Sequence, residues 1–257
     1  MLSSRDLLGA VAAAGRRERR YIVPIGISAP ANNNAAGATS IDVPWPTDAG
    51  SVGANVLTFM SVALKPGAAN LGSVATPAGW TLVGSHIGGG YGGTLAAGTG
   101  NVRVYLFVKQ DNTTAGNVTV SLTPDGANGV AAAAMNRIEK LTGAWQPVLL
   151  ATAEATVDTR VGQFVPSALD IQRGDCLIYA FGLGQDVSAS SLSAGVGFDA
   201  WSPPLANRGT SSNGFHVSAV ATGRRAQRGL ELPTQVVSVQ VGGICRGPMI
   251  VARYRVR

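Results

Sequence analysis

Thr76-Pro77-Ala78-Gly79-Trp80-Thr81-Leu82-Val83 decides how this chain is read: a proline and a glycine bracket a turn, and a large aromatic opens a new run directly after it. A glycine-rich segment follows, and then Val102-Arg103-Val104-Tyr105-Leu106-Phe107-Val108, rich in the β-branched and aromatic residues that suit a pleated sheet. Two such runs joined across glycines predict neighbouring antiparallel strands, with turn chemistry rather than helix capping at their ends.

Working outward, similar short apolar bursts punctuated by Gly, Pro and Asn fill the chain. One series lies at 22–28, 41–43, 56–64, 80–85, 102–108, 118–122 and 131–141; a second lies at 148–155, 163–165, 177–183, 198–201, 215–222, 236–241 and 250–256. Like positions are nearly evenly offset: Leu57 to Leu177 is 120, Gly79 to Gly197 is 118, Val102 to Phe215 is 113, and Val118 to Val236 is 118. Gly79-Trp80 and Gly197-Phe198 share a turn glycine followed by an aromatic. The pattern predicts an internal duplication, residues 21–145 and 146–257, each the length of a sandwich unit of roughly 100 residues. It leaves open whether the repeats are two domains or one merged domain. The expected fold is all-β, an antiparallel, jelly-roll-like β-sandwich with internal duplication. The 34 Gly, 13 Pro and 13% charged residues fit short strands and tight turns and leave few segments for a long amphipathic helix.

Residues 1–20 differ in kind. Ser3 or Ser4 can cap a helix, Asp6 suits its positive end, and Leu7, Leu8, Val11 and Ala12 share one face before Gly15 ends the run. This predicts a short helical arm followed by a basic linker. Arg5, Arg16, Arg17, Arg19 and Arg20 against Asp6 and Glu18 give +3 there, leaving +3 of the total +6 for the other 237 residues. So mild an excess, without a basic face interleaved with aromatics, predicts no nucleic-acid partner. The start does not read as a signal peptide, because Asp6 stands where a basic region belongs and the arginines follow the apolar stretch. No run reaches the roughly 20 apolar residues of a membrane span. The expectation is a soluble protein made in a cytoplasm, with no membrane partner.

Chemistry-bearing patterns are sparse. Cys176 and Cys245 lack CxxC spacing and are expected as buried thiols. His86 and His216 are the two histidines, and neither HxH, HExxH nor an acidic Ca²⁺ loop occurs, so no metal and no cofactor is expected. There is no GxSxG elbow, and Asp170, Asp175 and Asp199 sit beside turns, where Asp bonds its own backbone. Gly88, Gly90 and Gly93 fit G-x-G-x-x-G, but no helix pattern follows, so the reading is a surface loop rather than a dinucleotide site. Asn112 and Asn117 match the glycosylation acceptor pattern, which has no use without a secretory signal. No catalytic residue is expected, and the chain is read as not an enzyme. Trp80 and Trp201 fall in corresponding strands and are read as core; Trp45, between two prolines, and Trp145 lie at element edges and are the aromatics expected to meet a partner. The partner-binding candidates are therefore Leu7, Leu8, Val11, Arg16, Arg17, Arg19, Arg20, Trp45 and Trp145.

The segment from Thr76 to Val83, its glycine-rich loop and the run from Val102 to Val108 resemble a strand–loop–strand pattern of β-sandwich virion proteins of tailed bacteriophages. The resemblance spans residues 50–140, with a weaker echo in the second half. It implies a non-enzymatic structural role in the virion, either as capsid decoration or cement, or as a head or tail attachment component. Other virion proteins would be its partners, and it would be present as a homo-oligomer or in repeated copies. It supplies no catalytic residues. The alternative is a carbohydrate- or receptor-binding β-sandwich module of a phage fibre, which would expose two or more aromatics on a concave face.

Overall fold

The computed structural model describes residues 23–27, 31–33, 39–45, 56–65, 72–88, 102–110, 116–123, 130–139, 148–164, 176–185, 190–193, 198–200, 205–211, 214–225 and 237–254. Among these residues every regular element is a strand and every pairing is antiparallel, so the protein is all-β. The first half holds β1 (Val23–Ile27), β2 (Ala31–Asn33), β3 (Ser40–Val43), β4 (Val56–Lys65), β5 (Ser73–Val74), β6 (Thr81–Gly88), β7 (Val102–Gln110), β8 (Val118–Thr123) and β9 (Val130–Glu139). The second holds β10 (Val148–Phe164), β11 (Cys176–Gln185), β12 (Ser190–Ser193), β13 (Phe198–Ala200), β14 (Leu205–Ser211), β15 (Gly214–Arg225) and β16 (Val237–Tyr254). The arm expected at residues 1–20 lies outside the described residues.

Three sheets result. The first runs β1-β9-β4-β7-β6, with β2 also on β9; the second runs β10-β16-β11-β15-β13, with β12 on β16 and β14 on β15; a small sheet runs β3-β8-β5. Strand β4 shows why the first sheet is central. Its residues from Leu57 to Leu64 are all buried, which a strand achieves only when both faces are covered. Leu57 and Phe59, with Val104, Leu106 and Val108 of β7, pack against Ile178, Ala180, Ile250, Ala252 and Tyr254 of the second sheet. The alternate residues Met60, Val62 and Leu64, with Tyr105, Phe107, Ala131, Ala133 and Met135, pack against Ile41, Val43, Val74, Val120 and Leu122 of the small sheet. Each large apolar side chain so buried contributes about 1.5–3 kcal/mol.

The small sheet keeps polar residues outside, and across it Thr119 Oγ1 donates to Asp42 Oδ1 at 2.6 Å. The quoted turn closes as read: Trp80 N–H donates to Pro77 C=O at 3.0 Å, and Gly79 takes φ 77°, the left-handed backbone that a type II turn requires at its third position.

Strand order repeats between the halves. The series β1-β9-β4-β7-β6 has its like in β10-β16-β11-β15-β14, and β3-β8-β5 in the end of β10, the start of β16, and β12. Registers agree as well. Leu57 opposite Gln110 corresponds to Ile178 opposite Thr222, and Phe59 opposite Asn136 to Ala180 opposite Ile250. The one-residue shift between Pro24 and Gly26 recurs between Leu149 and Ala151.

Matched by place in the ladders, three of the sequence pairings fall elsewhere, and Val102 takes the place of Gly214 rather than Phe215. Leu57 takes the place of Ile178, an offset of 121, rather than of Leu177, because Leu57 and Ile178 share one apolar cluster and a slip of one residue turns a strand's faces over. The strand after Trp80 pairs in the manner of β14, not of the one opened by Phe198. Thr81 opposite Val108 and Gly88 opposite Val102 match Leu205 opposite Val220 and Ser211 opposite Gly214, whereas β13 pairs only with the far end of β15, at residues 223–225.

Candidate functional site

Of the candidate partner residues, Leu7, Leu8, Val11, Arg16, Arg17, Arg19, Arg20 and Trp145 lie outside the described residues, and Trp45 is within them. Trp45 does follow the end of β3, but it is 7% exposed and belongs to the core between the first sheet and the small one. Its backbone stands at an element edge, and its ring is buried. The flanking Pro44 and Pro46 stiffen the chain there, and the indole turns inward, where its large apolar area is removed from water.

Around Trp45 the structure gathers a cluster of side chains. Its ring meets Trp80 edge to face, with centroids 6.3 Å apart and planes at 70°. Lys109, near the end of β7, holds its Nζ 5.6 Å from the Trp45 ring centroid, and its Cε lies 3.8 Å from where a side chain on Gly79 would begin. Three separate segments are thus tied together: the end of β3, the turn at Gly79 and the end of β7. Trp80 is also 7% exposed, as a core residue should be, while Trp201 lies outside the described residues. Deeper along β7, the rings of Tyr105 and Phe107 lie parallel with centroids 6.0 Å apart, and Arg103 Nη1 donates to the Tyr105 hydroxyl at 3.4 Å. The arrangement closes one end of a core by aromatic packing and a cation over a ring face. It offers an incoming ligand no exposed aromatic plane.

The histidines are placed by register. His86 is within β6, opposite Val104, rather than past its strand's end, and His216 is in β15 between Gly184 and Gly209. Among the described residues no three His, Cys, Asp or Glu side chains are grouped as metal ligands would be. Asn117 is exposed just before β8, and the loop carrying Gly90 and Gly93 lies outside the described residues.

The sequence reading missed an apolar surface on the side where β6 and β10 run past each other as outer strands of their sheets. Leu82 is 44% exposed, Val148 48% and Leu149 41%. Leu149 reaches to 3.2 Å from where a Gly84 side chain would begin, so the absent side chain makes room for it. In sequence these residues looked like ordinary strand interior. The signal was Gly84 itself, since a glycine inside a strand pattern marks a bulge or a close approach, and the ladder does shift between Leu82 and Gly84.

No family model matches the sequence, and neither a curated protein nor a solved structure matches it.

Proposed function

We propose that the chain is a non-enzymatic virion structural protein, a capsid decoration or cement protein or a head or tail attachment component, built by duplication of one jelly-roll β-sandwich unit. The observation that carries the reading is strand order. With β1 and β2 counted as one strand, the first half has eight strands, and one sheet takes the first, eighth, third, sixth and fifth while the other takes the second, seventh and fourth. This order resembles that of a jelly roll in every strand but the fifth, which here joins the sixth, and the likeness supports the reading because jelly rolls are common in capsid domains. The same order in the second half, with matched registers, supports duplication.

Further support comes from the pattern quoted for the phage resemblance, which forms the paired strands β6 and β7 at one side of the central sheet. A sheet buried on both faces makes a stiff body, suited to bearing load between neighbours. The glycan-binding alternative asks for exposed aromatics, and the inward rings of Trp45 and Trp80 weigh against it.

In this reading the protein is made in the host cytoplasm and ends in the virion, where repeated copies contact other virion proteins. Residues 1–20 are its anchor: Leu7, Leu8 and Val11 supply an apolar stripe for a partner groove, and Arg16, Arg17, Arg19 and Arg20 orient it towards carboxylates. The test is to purify particles from cells expressing the full chain or a chain lacking residues 1–20, and to measure occupancy by mass spectrometry and antibody labelling. Full-length chain at stoichiometric occupancy and truncated chain that stays folded but is missing from particles is the expected result. Truncated chain at normal occupancy overturns the anchor, and full-length chain absent from particles overturns the virion role.

A further inference from the structure

Between the two large sheets, strand contacts come in matched pairs. Taking β10 as the like of β1 and β2, β11 of β4, β14 of β6, β15 of β7 and β16 of β9, the contact of β4 with β15 is mirrored by that of β7 with β11. In the same way β9 with β15 is mirrored by β7 with β16, β9 with β14 by β6 with β16, and β2 with β14 by β6 with β10. The remaining contact, β4 with β11, is its own mirror. Only a twofold relation between the halves sends each of these contacts onto another of the set. A translation or a screw along the chain would leave them unmatched.

The residues at the centre fit the same relation. Where β4 and β11 meet, a Cβ added at Gly182 would lie 3.1 Å from Ala63 Cβ, and 2.9 Å from Val102 Cγ1 of the neighbouring β7. By the register correspondence Ser61 is the like of Gly182, and Gly184 the like of Ala63. All four are small, as required on both strands when backbones cross closely at a shared axis. On either side of it the large residues Leu57, Phe59, Ile178 and Ile250 fill the same cluster.

We propose that the interface between the two large sheets is an isologous one, the geometry of a homodimer contained in a single chain, and that its faces therefore fit a second copy of this chain through exchange of halves. Each half presents a face made to meet its own like, so a neighbouring chain offers the same surface as the chain's own partner half. In an assembly of repeated copies, exchange would link neighbours with no new surface. This inference rests on the duplication reading, but not on the presence of the chain in particles.

The test uses the full chain with Cys176 and Cys245 replaced by serine. One variant carries Ala63→Cys with Gly182→Cys, the approach seen directly; another carries Ser61→Cys with Gly184→Cys, the approach that only a twofold axis requires. Under mild oxidation both pairs should close, read as a mobility shift on a non-reducing gel. Each variant is then unfolded in urea and refolded at rising protein concentration before oxidation, and a disulfide-linked species of twice the mass should grow with concentration. If the Ser61 and Gly184 pair stays reduced, the twofold relation is wrong, whether or not the first variant tolerates its bulkier residue at position 182. If bridges form only within single chains at every concentration, a second copy does not fit the face. An experimental structure in which the halves fail to superpose would refute the duplication itself, a result separable from either of these.

Discussion

Gly79 shows how much one residue position decides. Its φ of 77° is a conformation that residues with a Cβ resist, and an added side chain would meet Lys109 Cε at 3.8 Å, an ordinary contact, so the penalty is one of backbone and not of space. Gly79→Ala should lower stability by about 1–2 kcal/mol, the cost of a left-handed conformation for an L-residue. Urea denaturation checks this, with a lower midpoint and an unchanged slope expected. Trp45 decides something different. Its buried ring is packed on Trp80 under Lys109, so Trp45→Ala should destabilise by about 3–5 kcal/mol, the range for removing a large aromatic from a core. Lys109→Ala should cost about 0.5–1 kcal/mol, because a partly exposed cation over a ring contributes little more. If Trp45→Ala left the denaturation midpoint unmoved, the ring would belong to the surface after all.

At the scale of elements, the β-branched and aromatic residues of Val102 to Val108 and the turn before Trp80 made the β6 and β7 pair readable in sequence, because each residue's preference agreed with its place in the sheet. What the sequence concealed was double burial. In β4 the run from Leu57 to Leu64 contains Thr58 and Ser61, yet both are as buried as their apolar neighbours, and periodicity cannot tell a strand covered on two faces from any other apolar run. For the same reason, with no alternation to mark faces, nothing in the run distinguishes Leu177 from Ile178 as the residue placed like Leu57. The aromatic opening at Phe198 misled in another way. Strand β14, with Leu205 first and Arg208, Gly209 and Thr210 within it, carries weak strand propensity and takes its place by pairing with β15. Registers also decide the thiols. Cys176 lies opposite Tyr254 and Cys245 opposite Gln185, the two ends of one ladder. Nine residues of strand at about 3.3 Å each separate them by about 30 Å, whereas a disulfide needs Cα atoms within about 7 Å. A reducing agent should therefore leave the melting temperature of the purified chain unchanged, and a fall of several degrees would show a bridge that this register forbids.

For the whole molecule, the question the sequence left open, two domains or one, becomes a prediction about cooperativity that starts from which residues share a core. Leu57, Phe59, Val104, Leu106 and Val108 belong to the first half, and Ile178, Ala180, Ile250, Ala252 and Tyr254 to the second, and they form a single cluster. Unfolding one half would leave the other's share of this face in water. At about 1.5–3 kcal/mol for each large side chain, exposing five of them costs on the order of 10 kcal/mol, as much as the whole stability of an ordinary domain, about 5–15 kcal/mol. The first half has a further core beneath the small sheet, but that core shares strands β4 and β7 with the exposed face and cannot make up such a loss. The halves should accordingly melt together: calorimetry is expected to show one transition whose measured enthalpy equals its van't Hoff value. Phe59→Ala, in the first half, and Ile250→Ala, in the second, should each remove about 2–5 kcal/mol and move that one transition as a whole, by about 2–4 °C per kcal/mol for a chain of this size. Two resolved transitions, with Phe59→Ala shifting one and Ile250→Ala the other, would mean that the halves are separate domains that merely touch.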